Sequence, residues 1–270
     1  MIDLQNIRQN NWANTRVSIL GAGISGMATA NLGRYVGADI FISDKNNSPE
    51  IMEKLREFHH ETGEHSKKIL NTDLLIISPG IPDSIPIIQK CREENIPIVS
   101  EIEFASWFTE SPILALTGSN GKTTTVNLLH EMCISDGKNS LLGGNVGIPF
   151  SENVLWELTS DITGSVHVLE LSSFQLEHIN SFSPTIAGIL NISADHMDRY
   201  AGIHDYAAEK IKLADQIIES GWLVYNADDP ILSKSLMNVS RSVLFSLTLK
   251  EKCHFKLNAS KSPSLSTSPR

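Results

Sequence analysis

Two parallel-sheet α/β units in one chain are what this sequence predicts, on three observations. Short apolar runs alternate with helix-length patterns along most of the chain, the rhythm of repeated strand–helix–strand units. A glycine-rich loop, Gly21-Ala22-Gly23-Ile24-Ser25-Gly26, follows the first run and opens the first helical pattern. A second loop of small residues, Thr117-Gly118-Ser119-Asn120-Gly121-Lys122-Thr123-Thr124, stands in the same relation to a run near the middle of the chain. At 270 residues the chain also exceeds the roughly 100 to 200 of one ordinary domain.

In the first unit, strands are predicted over 16–20, 39–42, 74–77 and 97–99, with a helix over 24–35. His59, His60 and His65 read as the wet end of a helix. Residues 100–111, with Glu101, Glu103 and Trp107, predict a connecting helix, and the domain boundary is placed there. The second unit is expected to use strands over 112–116, 166–169, 185–190 and 223–225, and helices over 124–133 and 205–219. From about residue 250 the pattern fails, and the serine-rich stretch 260–269 offers nothing to bury, so a disordered tail is expected. The expected domains are therefore 1–107, 108–249 and a tail over 250–270.

Composition excludes several classes. A formal charge of −9 argues against general nucleic-acid binding, which needs a basic face to displace counterions. No apolar run approaches the ~18 residues of a membrane span, and the first residues lack a basic start followed by an apolar stretch. A cytoplasmic protein with no membrane association is expected. Cys91, Cys133 and Cys253 lie far apart, match no disulfide or zinc spacing, and read as reduced thiols.

The first glycine loop has the context of a dinucleotide fingerprint: a strand before it, a helix after it, and glycines that permit a tight turn and close approach of a diphosphate. Asp44, at the end of the next strand, sits where an acid meets a ribose or a base. This is a Rossmann-like arrangement, and it suits a nicotinamide-dependent oxidoreductase as well as a sugar-nucleotide binder. Ser78-Pro79-Gly80-Ile81-Pro82 follows another strand at the same sheet edge, as a second binding loop or a plain rigid turn.

The second loop reads Gly-x-x-Gly-Lys-Thr, two residues shorter than the general phosphate-loop spacing, with Leu116 where the first glycine would be. The physics survives the shortening. Successive N–H groups at Gly118, Ser119, Asn120 and Gly121 face phosphate oxygens, Lys122 supplies a point charge, and the hydroxyls of Thr123 and Thr124 follow, Thr123 as a magnesium ligand. Glu170 ends an apolar strand, either as a further magnesium ligand or as a solvated strand-end acid. Asn145 lies in Gly143-Gly144-Asn145-Val146-Gly147, a ligand loop or an ordinary turn. His196 stands between Asp195 and Asp198, as a metal or substrate residue or a surface histidine. Lys210, by local pattern, is an exposed helix lysine. Ser172 and Ser173 read as packing or hydrogen-bonding residues, not nucleophiles.

Together, the loop at 117–124, the segments 143–149, 170–177 and 191–200, and Asn226-Ala227-Asp228-Asp229-Pro230 resemble the Mur ligases of peptidoglycan synthesis in order and spacing. The string Glu-Leu-Ser-Ser-Phe-Gln-Leu-Glu at 170–177 resembles their D-glutamate-adding member in particular. The resemblance spans about residues 15–246. It implies an ATP-dependent ligase that joins UDP-N-acetylmuramoyl-L-alanine to D-glutamate through an acyl phosphate, in the cytoplasm. It implies that Gly21, Gly23, Ile24, Ser25, Gly26, Asp44, Ser78, Pro79 and Gly80 surround the UDP of the substrate, and that Asn145 and His196 face the substrate. It assigns Gly118 to Thr124 to ATP, and Lys122, Asn145, His196 and Lys210 to catalysis. Thr123 and Glu170 would hold a first Mg2+, and Lys210, as a carbamate, would support a second with His196. Family members carry a further C-terminal domain that this chain is expected to lack, so the resemblance implies a truncated chain whose own turnover is in doubt. The competing expectations are a noncatalytic UDP-sugar or nucleotide-binding fragment, another Mur ligase, or a folylpolyglutamate synthase relative.

Overall fold

The computed structural model describes residues 11–246, 248 and 255–256. In chain order the first half forms β1 (Arg16–Leu20), α1 (Ile24–Tyr35), β2 (Asp39–Asp44), α2 (Pro49–Leu55), β3 (His59–Thr62), β4 (Leu74–Ile77), α3 (Pro86–Glu93), β5 (Ile98–Ser100) and α4 (Glu101–Ser106). The second half forms β6 (Ile113–Thr117), α5 (Lys122–Ser135), β7 (Asn139–Gly144), α6 (Phe150–Thr159), β8 (Ser165–Glu170) and α7 (Ser173–Leu176). It continues through β9 (Ile186–Ile189), α8 (Ile203–Asp215), β10 (Trp222–Asn226), α9 (Pro230–Ser235), β11 (Ser242–Ser246) and β12 (Phe255–Lys256). Among the described residues no helix is long and apolar enough to cross a membrane.

The chain divides into two compact units. One is drawn from Met1–Glu110, Gly147–Ile162 and Glu177–Phe182; the other from Ser111–Val146, Thr163–Leu176 and Ser183–Arg270. Both contain the expected parallel sheet, so the α/β class holds. The first sheet has the order β3-β2-β1-β4-β5, every neighbour pair parallel. Its order reverses beside β1, which opens a crevice between the carboxyl ends of β1 and β4, the usual ligand position of such sheets. Leu74–Ile77 is buried along its whole length, as a central parallel strand covered on both faces must be. Beneath it Leu20, Ile69, Leu75, Ile77, Ile88 and Cys91 form one apolar cluster. Burial pushes the Cys91 thiol up to about 11; Cys91 and Cys133 are both free, and Cys253 lies outside the described residues.

Two buried carboxylates explain why later segments join the first unit. Glu103 accepts backbone N–H groups from Asn180, Ser181 and Phe182, each at 2.8 Å, and the Trp107 indole N–H at 3.0 Å. Glu101 accepts the Ser151 N–H at 2.6 Å, at the start of α6. Its other oxygen has no hydrogen-bond partner among the described residues, and burial raises its pKa to about 7. A cluster of Trp12, Phe104, Trp107 and Phe108, with centroids 5.0 to 5.8 Å apart, packs around the same helix. Hydrophobicity alone would bury this stretch; the carboxylates decide which segments it binds.

In the second unit the order is β12-β11-β10-β9-β6-β8-β7, again parallel. β6 lies between β8 and β9, so the loops that follow these three strands share one edge of the sheet. One local expectation is corrected, and two strands appear that were not expected. His59 and His60 lie in β3, an edge strand paired with β2, not at a helix end; pairing with Phe41 and Ile42 overrides the local polarity. Ser242–Ser246 forms a strand, β11, that the sequence reading did not assign. Within the expected disordered tail, Phe255–Lys256 pairs with Phe245–Ser246, while the other tail residues lie outside the described ones.

Candidate functional site

In the second unit the strand β6 ends at Thr117, and after four intervening residues α5 starts at Lys122. Gly121 caps this helix at φ +81°, a left-handed conformation that glycine adopts without steric cost. The first N–H groups of a helix have no partner inside it, and they make its N-terminus an anion site. Lys122 stands at that point, its Nζ donating to the Ser119 carbonyl at 3.1 Å.

Three residues named from the sequence meet beside it. The Thr123 hydroxyl donates to Glu170 Oε2 at 2.8 Å, and Asn145 Nδ2 donates to Glu170 Oε1 at 2.9 Å. The backbone N–H of Asn145 also donates to the Glu170 carbonyl at 2.8 Å. That approach needs Gly144, because a Cβ there would lie 2.3 Å from the Glu170 carbonyl oxygen. Glu170 is buried, with both carboxylate oxygens held by neutral donors. A hydroxyl and a carboxylate oxygen side by side are hard donors that fit magnesium, an ion that keeps water and substrate phosphate in its remaining positions. No group of three His, Cys, Asp or Glu that could by itself hold a metal occurs among the described residues.

Lys210 is not the exposed lysine that its local pattern suggests. It is 1% exposed, its Nζ lies 3.4 Å from Thr117 Oγ1, and it sits 4.6 Å from the Tyr206 ring centroid. Burial, helped by the charge of Lys122, lowers its pKa to about 7. Tyr206 escaped the sequence reading, although its place four residues before Lys210 on one helix face was a usable signal. His196 is half-exposed, with φ +54°, a strained conformation for a residue with a side chain. Its ring lies 4.9 Å from that of Phe174, over which the Arg199 guanidinium also sits at 4.7 Å. Asp195 Oδ2 is 3.6 Å from His196 Nε2. Ser172 donates its N–H and hydroxyl to Gln175 Oε1, at 3.0 and 3.1 Å.

The segment after β9 grips the phosphate loop. Asn191 Oδ1 accepts the Asn120 N–H at 2.8 Å, and Asn191 Nδ2 donates to the Asn120 carbonyl at 3.0 Å. The Ser119 N–H donates to the Asn191 carbonyl at 2.9 Å. Ser119 Oγ donates to the Ser193 carbonyl at 3.0 Å and accepts the Ser193 N–H at 2.9 Å.

In the first unit the glycine loop joins β1 to α1. A Cβ on Gly26 would lie 1.9 Å from the Gly21 carbonyl oxygen, so this glycine is demanded by helix–strand packing. Gly23 has nothing within 4 Å of such a Cβ, which leaves its backbone open to a ligand. Asp44 accepts the Ala22 N–H at 2.5 Å and the Asn46 N–H at 2.7 Å, and Ser78 donates its hydroxyl to the Gly21 carbonyl at 3.2 Å. Gly80 takes φ +89° in the neighbouring loop, after Ser78 and Pro79. A cavity of about 460 Å³ adjoins the loop, lined by Gly23, Ile24, Met27, Asn31, Lys54 and Leu155 among others. Ile24, 78% exposed at its mouth, is a large apolar side chain left in water at a helix start; Ser25 follows it in the first turn of α1.

Comparison with known proteins bears on both units. Residues 116–267 match the family description "Mur ligase middle domain", and residues 15–100 match "Mur ligase MurD-like, N-terminal domain". UDP-N-acetylmuramoylalanine–D-glutamate ligase of Christiangramia forsetii is 43% identical over 220 residues, covering 79% of this chain and 48% of the relative. The enzyme of the same name from Chlorobaculum tepidum is 44% identical over 223 residues, covering 80% and 47%. The chain spans about half the length of the curated relatives it matches. Among solved structures, UDP-N-acetylmuramate:L-alanyl-gamma-D-glutamyl-meso-diaminopimelate ligase from Neisseria meningitides superposes with a TM-score of 0.58 at 17% identity, covering 86% of this chain and 78% of that one. UDP-N-acetylmuramate-alanine ligase from Thermotoga maritima gives 0.51 at 21% identity, covering 90% and 54%. These two likenesses concern the fold.

Proposed function

The chain belongs to the Mur ligase family, and from that premise we propose that its two units bind the two substrates first engaged in adding D-glutamate to UDP-N-acetylmuramoyl-L-alanine: the UDP-sugar at the glycine loop of the first unit, and ATP at the phosphate loop of the second. The observation that carries this reading is the meeting of Thr123, Asn145 and Glu170 beside Lys122 at one helix N-terminus. Relatives at 43% and 44% identity that bear the D-glutamate ligase name support the choice of substrate.

The chemistry follows from what the reaction demands. A carboxylate is a poor acyl donor until one of its oxygens becomes a leaving group. The alanine carboxylate oxygen therefore attacks the γ-phosphorus of ATP, the bond to the β–γ bridging oxygen breaks, and ADP leaves. The amine of D-glutamate then attacks the acyl phosphate carbon, the tetrahedral intermediate expels phosphate, and the amine proton is lost to solvent or base. Two anions meet in the first step, so Lys122 would leave the Ser119 carbonyl for the terminal phosphates and offset their charge. Bound magnesium, with Thr123 and Glu170 as protein ligands, would supply further charge neutralisation at the transferring group. Asn145 and His196 would orient the sugar-nucleotide's peptide end.

Lys210 has a distinct part. An amine must be neutral to attack CO2, and a buried lysine with a pKa of about 7 has that form available at neutral pH. The nitrogen would bond to carbon, one proton would leave, and the carbamate would present two oxygens to a second magnesium ion alongside His196. With 13C-bicarbonate, a carbamate carbon resonance is expected in the wild type and not in Lys210→Ala; its survival in the variant would remove this assignment.

The test of the whole reading is a pair of titrations with the intact chain. MgATP and UDP-N-acetylmuramoyl-L-alanine should each bind, the first weakened by Lys122→Ala and the second not. Tight binding of NADH with none of UDP-sugar would overturn it in favour of the oxidoreductase alternative.

A further inference from the structure

The motif Asn226-Ala227-Asp228-Asp229-Pro230 is left without a task by the proposed chemistry, yet Asp229 is buried and doubly engaged. One carboxylate oxygen, Oδ1, accepts the N–H groups of Ile231 and Leu232 at 2.9 and 3.0 Å, capping α9. The other, Oδ2, accepts the Ile192 N–H at 2.7 Å. Asp229 thus ties the start of a helix to the residue that follows Asn191.

Asn191 in turn saturates both backbone groups of Asn120 with one side-chain amide and takes the Ser119 N–H on its own carbonyl. The consequence is directional. The N–H groups of Ser119 and Asn120 are turned toward residue 191 and away from any ligand, although the sequence counted them among the phosphate donors. The donors that remain for phosphate include those at the N-terminus of α5, from Gly121 through Thr124, because the intrahelical ladder begins only with Thr125 donating to the Gly121 carbonyl. The Ser119 carbonyl, held from behind by the same clasp, is the group that receives Lys122.

We propose that Asn191, backed by Asp229, is a positioning residue for the phosphate loop: it consumes the loop's middle N–H groups, aims the helix N-terminus at the nucleotide and places the carbonyl on which Lys122 rests. This rests on reading the loop as an ATP site. Neither residue touches a reacting atom; each acts through Ser119, Asn120 and Ile192.

The experiment measures MgATP affinity, UDP-N-acetylmuramoyl-L-alanine affinity and thermal melting for the wild type, Asn191→Ala and Asp229→Asn. Asn191→Ala removes two hydrogen bonds from the loop and is expected to weaken MgATP roughly tenfold while leaving the UDP-sugar affinity unchanged. Asp229→Asn keeps one acceptor oxygen where two are used, and is expected to lose a smaller, severalfold part of MgATP affinity. Should Asn191→Ala melt far below the wild type, Asp229→Asn, of the same size and shape, carries the test by the same readout. A wild type that binds no MgATP would defeat the ATP reading itself. A wild type that binds it, with variants that bind it equally well or that lose both ligands alike, would overturn the positioning role.

Discussion

The two glycine loops of this chain are built on the same strand–turn–helix device and are pinned by different side chains. At the first, a carboxylate occupies the loop: Asp44 takes the Ala22 N–H, and the glycine that matters for stability, Gly26, is there so that α1 can lie against the turn. At the second, a neutral amide, Asn191, holds the loop from behind, and a cation, Lys122, stands in front. Both loops open a helix N-terminus; a nucleotide at the first would find Asp44 behind the turn, and one at the second would find Lys122 in front with Glu170 beside Thr123. Glycine spacing names the geometry of a turn, while the side chains that pin the turn decide which of its N–H groups are already taken.

The largest effect that breaks this contrast is expected from Lys122→Ala. On the proposed reading, removing the Lys122 charge at the second loop should lower acyl-phosphate formation, followed by hydroxylamine trapping, on the order of a hundred- to a thousandfold. The UDP-sugar titration should not change. Next comes Gly26→Ala. Its Cβ would lie 1.9 Å from backbone, so the first unit should lose about 3 kcal/mol in denaturant melts, and UDP-sugar binding with it. MgATP binding should survive in any molecules that keep the second unit folded.

The two units also contrast in their buried titratable groups, one shifted up and one down toward the same pH. Glu101 is raised from 4.5 to about 7 by burial, against the opposing hydrogen bonds from Ser151. The folded state therefore holds its proton to higher pH than the unfolded chain, and stability falls as pH rises from 4.5 through about 7, by roughly 3 kcal/mol. Glu101→Gln should flatten that slope, as measured by denaturant melts near about pH 5 and about pH 8. Lys210, lowered from 10.5 to about 7, acts with the opposite sign: the folded state binds fewer protons than the unfolded one, so stability rises with pH across that higher window. The smallest effect is expected from Gly23→Ala, which meets nothing within 4 Å and should change stability by less than about 0.5 kcal/mol. Weakened UDP-sugar binding at unchanged stability would sharpen the comparison by showing that this glycine serves the ligand and Gly26 the fold.

Much of the fold was legible because parallel strands buried on both faces write themselves as short apolar runs, as Leu74–Ile77 does. The polar edge strand β3 was not. His59–Thr62 is polar and half-exposed, and only its pairing with β2 makes it a strand. The candidate site divides along the same line. Thr123 and Lys122 could be read from a contiguous motif, and Glu170 from its place at a strand end. Asn191 and Asp229 stood inside recognisable strings but showed no role, since a single polar side chain in a loop carries no periodicity. Lys210 looked like a surface lysine because its own helix gives no sign of what packs over it.

The sequence by itself determined the α/β class, the two glycine-rich strand–turn–helix loops and the family, because apolar alternation and contiguous glycine motifs are local in the chain. Only the tertiary structure decided that Lys210 is buried, that Glu101 and Glu103 draw the start of α6 and residues 180–182 into the first unit, and that Asn191 accepts the N–H groups of Ser119 and Asn120. Burial and hydrogen-bond partnership belong to pairs of residues distant in the chain, and which partner a polar group finds is set by the packing that brings the strand ends together.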